Sequence, residues 1–264
     1  MADYVVGKNS ILSLLSVDPA RVFKVYVSET LKPDKRIDAI YEAAQARGIP
    51  IARVPRMKLD QMTESLLQDD PDLQHQGVIA AVSPKPLMDL DDLVIECRKR
   101  IEDVGEFPLV LMLDGLSDPR NFGAILRVAD AAGVAGVIVA KHKNAGFGPA
   151  VSKTASGAEA SVQVVMVPNL VQALERLKQI GFWVVGAANT PDAVAYTEQT
   201  FDTATVLVLG SEGQGLGRLV AEHCDFRVRI PMHGVVESLN VATAAAVLTF
   251  DIQHRLSLAL KAHS

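Results

Sequence analysis

Residues 206–216 read Val-Leu-Val-Leu-Gly-Ser-Glu-Gly-Gln-Gly-Leu, four consecutive apolar residues running into a glycine-rich turn with one carboxylate at Glu212. A run of Val and Leu with no polar alternation predicts a strand covered on both faces, as in a parallel sheet. The pattern recurs. Residues 229–241, Arg-Ile-Pro-Met-His-Gly-Val-Val-Glu-Ser-Leu-Asn-Val, pass from a strand end through a polar turn into an Ala-rich helix. Residues 118–127, Asp-Pro-Arg-Asn-Phe-Gly-Ala-Ile-Leu-Arg, follow the apolar stretch 109–114 and open another helix. Three strand ends thus carry the polar chemistry, where open α/β sheets bind ligands.

Outward from these turns, strands are predicted at 109–114, 134–140, 162–167, 182–187, 205–210 and 226–230, with a last helix over about 238–260. Residues 4–82 read as a separate α/β module: helix near 8–15, strand 22–27, helix 34–47 stopped by Gly48, strand 49–54, helix 58–67 and strand 77–82. Ser83-Pro-Lys-Pro86 breaks the pattern. Beyond it, Leu90, Leu93, Val94, Cys97, Ile101 and Val104 fall at helical spacing, so the acidic connector 83–106 is predicted to be a helix with one buried stripe.

A chain of 264 residues with 49% hydrophobic content accommodates two domains with real cores. The formal net charge of −5 excludes a basic footprint spread over the whole surface, so any contact with nucleic acid rests on local patches. Two such patches are candidates: Lys141, Lys143 and Lys153 around Phe147, and Arg53, Arg56 and Lys58 on the N-terminal module. A solvated surface is the alternative for each. Cys97 and Cys224 have no metal-site or disulfide spacing and read as buried thiols. His75 and His233 lack ligand partners at suitable spacing, so no metal is expected. No charged n-region or apolar run of ~18 residues is present, and a reducing cytoplasmic compartment is expected.

In their order and wording the three motifs resemble the SpoU (TrmH-type) branch of the SPOUT methyltransferases. Within it the likeness is greatest to the bacterial enzymes that 2'-O-methylate a guanosine in the peptidyl-transferase region of 23S ribosomal RNA. The resemblance spans the chain. It implies an L30e-like RNA substrate-binding domain at 1–82, a linker at 83–106 and a methyltransferase domain at 107–264 folded as a trefoil α/β knot. General folding rules exclude a knot.

The resemblance further implies S-adenosylmethionine as cofactor, ribosomal RNA as partner and a homodimer of paired knots, and leaves open whether residues of one chain complete the other's site. Gly210, Ile230 and Leu239 would contact the cofactor. Arg127, Asn121, Glu212, Ser238 and Asn240 would form the catalytic constellation, with Glu237 a companion. Residue type alone leaves bland readings open: Glu212, Asn121, Ser238 and Asn240 as helix caps, Arg127 as a solvated cation, Gly210 as part of a tight turn. Arg127 cannot readily lose its proton, so orienting the nucleotide and stabilising a developing ribose oxyanion suit it better than general-base work. Ser238 has no His-Asp arrangement or Gly-x-Ser-x-Gly elbow and is not a hydrolase nucleophile. Methylation of tRNA ribose and a non-catalytic RNA-binding role are the competing functions.

Overall fold

A computed structural model describes residues 3–69, 74–141, 151, 154–211 and 213–263. The chain divides into two compact units, the first made of Met1–Pro86, Phe122–Arg127 and Gly146–Ser161 and the second of Leu87–Asn121, Val128–Ala145 and Val162–Ser264.

The first unit contains β1 (Asp3–Val6), α1 (Lys8–Val17), β2 (Val22–Ser28), α2 (Lys35–Gln45), β3 (Ile51–Val54), α3 (Arg56–Asp69) and β4 (Val78–Val82). Its sheet has the order β1-β4-β2-β3. Strand β4 runs antiparallel to both neighbours, while β2 and β3 are parallel. Ile11, Leu14 and Leu15 of α1 and Ile37 and Ile40 of α2 pack with Val25 and Val27 in one apolar cluster. Leu59 of α3 closes a second cluster with Val6, Val54 and Ile79. With both faces covered, all five residues of β4 are buried, so its sequence carries no alternation. Asp34 starts α2 by accepting from Arg36 N and Ile37 N at 2.9 and 3.0 Å. The Lys8 ammonium on the same carboxylate holds its pKa below the ordinary value.

The second unit contains α4 (Leu90–Val104), β5 (Leu109–Asp114), the two ends of α5 (Pro119–Ala132), β6 (Gly136–Ala140), β7 (Val164–Val167), α6 (Leu170–Lys178), β8 (Trp183–Ala187), β9 (Val194–Ala195), β10 (Thr205–Gly210), α7 (Arg218–Glu222), β11 (Phe226–Arg229) and α8 (Val241–His263). Seven strands pair in the order β7-β6-β5-β10-β8-β11-β9, every neighbouring pair parallel. The chain leaves β5 toward β6 and β7, then returns to build the other side from β8, β10 and β11. That reversal places a topological switch point between β5 and β10. On one face, Val110, Met112, Val206 and Val208 pack with Leu170, Leu174 and Leu177 of α6. Leu111, Leu113, Leu207 and Leu209, alternating with them, are equally buried.

The connector is more than a linker. Leu93, Val94 and Cys97 of α4 are buried in the same core as Met112 and Ile138, with Leu90 and Ile101 packed beside them. Met88 N donates to Val164 O at 3.1 Å, which ties the chain entering α4 to the sheet. Val104, expected in the buried stripe, is exposed, because the helix ends there in a left-handed Gly105 whose N–H caps Arg100 O and Ile101 O. The last helix begins at Val241 rather than Ser238, and β1 and β9 appear where no strand is predicted. The four residues of β1 show little periodicity and depend on pairing with β4.

Candidate functional site

A cavity of about 830 Å³ opens at the carboxyl ends of β8, β10 and β11, wholly within the second unit. Its walls come from three segments: Ala187–Thr190 after β8, the turn after β10, and the turn from Ile230 to Asn240 after β11. Gly210, Ile230, Leu239, Ser238 and Asn240, all singled out from the sequence, line this one cavity.

The first turn closes on itself. Ser211 N donates to Gly215 O at 3.2 Å and Gly215 N to Ser211 O at 2.9 Å. The main chain then passes so close to Gly210 that a Cβ there would sit 2.2 Å from Gly215 C and 2.6 Å from Leu216 N. No other residue fits Gly210, and Gly213 and Gly215 hold left-handed conformations at φ +82° and +65°. The tight-turn reading of these glycines is therefore correct as structure, and the same turn presents its main chain to the cavity. Gly217 N donates to Asp114 Oδ2 at 2.7 Å, anchoring the turn's exit to the end of β5 across the switch point. Glu212 lies outside the described residues.

The second turn is held by two asparagines. Asn189 Nδ2 donates to Glu237 O at 3.2 Å. Asn240 is the N-cap of α8: its Oδ1 accepts from Ala242 N at 2.9 Å, and its Nδ2 donates to Asn121 Oδ1 at 2.9 Å. One side chain thus both caps α8 and lines the cavity. Asn121 is not a cap, because Asp118 fills that position by accepting from Arg120 N at 2.7 Å. Ser238 is exposed in the turn before the helix and does not cap it. Val235 and Val236, in the middle of the turn, are exposed apolar side chains.

Among the described residues the charges of the cavity wall are Arg227, Arg229 and Glu237. Arg227 pairs with Asp192 and donates to Ala221 O at 2.9 Å. A side-chain hydrogen bond from Thr190, followed by Asp192's own backbone, lowers the Asp192 pKa. Arg229 Nε donates to Ala193 O at 3.2 Å. Both cations are thereby committed to the scaffold, and the rest of the described wall combines main chain and small or aliphatic side chains with the amides of Asn189, Gln214 and Asn240. Such a lining suits a ligand held by backbone donors and acceptors, and the volume lies in the range of about 300–1,000 Å³ usual for small-molecule sites.

Arg127 is exposed on α5, in the segment Phe122–Arg127 that belongs to the first unit. Six residues separate it from Asn121, so the two side chains leave α5 in different directions. Lys141 is exposed just beyond β6. Arg53 and Arg56 are exposed on the first unit, at β3 and at the start of α3. Lys143 and Lys153 lie outside the described residues. Burial pushes the Cys97 thiol up to about 12 and that of Cys224 to about 11. Among the described residues no cluster of three metal-ligating side chains is found, and no helix is long and apolar enough to cross a membrane.

Sequence reading missed the third wall. Asn189 and Thr190 follow a predicted strand end, which is the one signal that pointed to them.

Residues 108–250 match the SpoU rRNA Methylase family, and residues 4–88 match a family described as RNA 2'-O ribose methyltransferase substrate binding. The chain is 42% identical over 248 residues to the 23S rRNA (guanosine-2'-O-)-methyltransferase RlmB of Pseudomonas aeruginosa, covering 94% of each. It is 39% identical over 257 residues to the putative TrmH family tRNA/rRNA methyltransferase YacO of Bacillus subtilis, covering 96% of each. Among solved structures, the SpoU methyltransferase AviRb from Streptomyces viridochromogenes, in complex with the cofactor AdoMet, is similar with a TM-score of 0.72 and 26% identity, covering 96% of this chain and 90% of that one. Two glycine-bearing turns meeting at the carboxyl ends of a parallel sheet, in a chain with relatives of this identity and coverage, establish that it belongs to the SpoU rRNA methylase family.

Proposed function

We propose that the protein transfers a methyl group from S-adenosylmethionine to the ribose 2'-oxygen of a guanosine in 23S ribosomal RNA. The observation that carries this reading is the convergence of Gly210, Ile230 and Leu239 on one cavity walled by main chain. Likeness to RlmB over 94% of the chain supports the RNA and the nucleotide.

When bound, S-adenosylmethionine supplies an electrophilic methyl on a sulfonium centre. Gly210, Ile230 and Leu239 hold it through the two turns, and Glu212 organises the first of them. Asn121 and Asn240 fix α5 against the start of α8, and Ser238 holds the target ribose. Arg127 orients the target nucleotide and stabilises negative charge developing on the 2'-oxygen. Most of the rate enhancement then comes from holding two reactants in line. Residues 1–82, with Arg53 and Arg56, bind RNA, and residues from about 107 onward hold the cofactor; Lys141, Lys143 and Lys153 add a second RNA contact.

The same reading includes a cytoplasmic homodimer and the knotted chain path of the family. Phe250 and Leu258, exposed apolar side chains on α8, support the dimer.

The test maps ribose methylation on rRNA and tRNA from cells with and without the protein. Loss of one methylated guanosine in 23S rRNA is expected. An unchanged rRNA pattern with a lost tRNA methyl transfers the reading to tRNA, and no change in either removes the catalytic assignment.

A further inference from the structure

The first unit contains a second cavity, of about 420 Å³, between the end of β2, the start of α3 and the turn that leads into β4. Its lining is polar: Arg56, Asp60, Thr63, Gln74, His75 and Gln76 contribute most of it. His75 is buried, and its two ring nitrogens are both engaged. Nδ1 accepts from Gly77 N at 2.9 Å, so the proton sits on Nε2, which lies 2.9 Å from Asp60 Oδ1 and donates to it. A buried imidazole thus aims a half-exposed carboxylate. The turn carrying it is equally fixed: Val78 N donates to His75 O, and Ser28 N to Gly77 O. Gln76 holds a left-handed φ of +52°, a conformation that costs a non-glycine residue energy and that surrounding structure must impose.

Each carboxylate oxygen accepts two hydrogen bonds. His75 takes one of the two at Oδ1, leaving one there and both at Oδ2. Arg56 stands four residues before Asp60 on α3, on the same face, yet forms no ion pair with it among the described residues. Carboxylate and guanidinium therefore both remain available at one polar cavity. Two adjacent acceptors match a pair of adjacent N–H donors. Among the four bases only guanine offers that pair, N1–H and N2–H, on its Watson–Crick edge. Adenine places an acceptor at N1, cytosine one at N3, and uracil sets a single donor between two acceptors. The edge is readable only on an unpaired base, the form in which proteins recognise RNA sequence.

We infer that this cavity is a nucleotide subsite for an unpaired guanosine of the RNA, with Asp60 reading the base and Arg56 meeting a phosphate. It rests on the proposed RNA substrate and adds a base-reading site on the N-terminal module. His75 is a positioning residue that keeps Asp60 in register.

The test titrates the full-length ¹⁵N-labelled protein with 5'-GMP and 5'-AMP, following amide shifts at Thr30 and at His75 to Gly77. The wild type binds GMP about tenfold more tightly than AMP, the discrimination of one bidentate base contact. In Asp60→Asn the His75 proton still claims Oδ1, so the amide turns Nδ2 toward the cavity and presents one donor beside one acceptor, a pair that both guanine (O6 and N1–H) and adenine (N1 and N6–H) complement. The preference for GMP then disappears while both nucleotides still bind, which a purely structural role for Asp60 would not produce. Arg56→Ala weakens both nucleotides to the same degree. Equal binding of the two nucleotides by the wild type, or no shift at these amides, overturns the subsite. Methyl transfer to 23S rRNA is assayed on the same wild-type sample: transfer without GMP preference removes the subsite alone, and GMP preference without transfer removes the proposed reaction alone.

Discussion

Asn240 donates its side-chain Nδ2–H to Oδ1 of Asn121 at 2.9 Å, across 119 positions of sequence, while its own Oδ1 caps α8 through Ala242 N. The cap dictates the amide's orientation: with the oxygen committed to the helix, only the nitrogen can face Asn121. One residue thereby fixes the start of α8 and ties the turn after β11 to the first turns of α5.

Asn240→Ala loses both bonds, and a lost N-cap costs about 1 kcal/mol. Asn240→Ser retains a capping oxygen but not the bond to Asn121, so its thermal stability stays closer to wild type while methyl transfer falls as far as in the alanine variant. A double-mutant cycle with Asn121→Ala, read by denaturant unfolding, should return a coupling of about 1 kcal/mol. Additive losses would mean the two asparagines act independently.

Gly210→Ala places a methyl against the main chain of Gly215 and Leu216. Overpacking of this kind costs about 1–3 kcal/mol, and opening the turn should abolish cofactor binding in calorimetry. Gly213→Ala meets no atom within 4 Å and bears only the strain of its positive φ, so it should be the milder of the two. A Gly210→Ala protein that binds S-adenosylmethionine normally would separate the turn from the site.

Arg127→Ala should lower turnover about 100- to 1000-fold, the usual loss for one transition-state donor, with cofactor affinity little changed because its proposed role is at the ribose 2'-oxygen. Lysine should rescue poorly, lacking the planar fork. Mixed with Asn240→Ala and allowed to exchange subunits, the variant should recover partial activity. No recovery from a dimeric mixture removes the shared site, and a monomeric mass in light scattering removes the dimer.

A fragment beginning at residue 107 lacks α4, whose Leu93, Val94 and Cys97 are buried in the sheet core. Each such side chain contributes about 1.5–3 kcal/mol on burial. The fragment should unfold at far lower denaturant than one beginning at Leu87, and the longer one should bind the cofactor. Equal midpoints would mean that α4 adds nothing to the stability of the sheet core.

The thiols give a pH dependence of known sign. Cys97 and Cys224 are raised by burial to about 12 and about 11 from an ordinary value of 9.0. Between pH 9 and 11 the unfolded chain loses thiol protons that the folded chain keeps, so this contribution to stability is complete below pH 9 and declines as pH rises. Iodoacetamide at pH 8 should leave both thiols unmodified until denaturant is added. Rapid labelling of Cys97 in the folded protein would contradict its burial.

Much of the second unit was legible in sequence because its strands are long, apolar and ended by glycine or aspartate; 109–114 and 205–210 coincide with β5 and β10. The turns at 210–216 and 230–240 were legible for the same local reason, as was a helix at 90–104. Residue type placed a cap near Asn240. Strand order, the cavity wall at Ala187–Thr190, the Asn121–Asn240 bond and the His75–Asp60 pair were decided by tertiary structure alone. Periodicity and turn chemistry act over a few neighbouring residues, whereas these contacts join segments 15 to 119 positions apart, and only the packing of whole helices on a sheet of given order determines which of them meet.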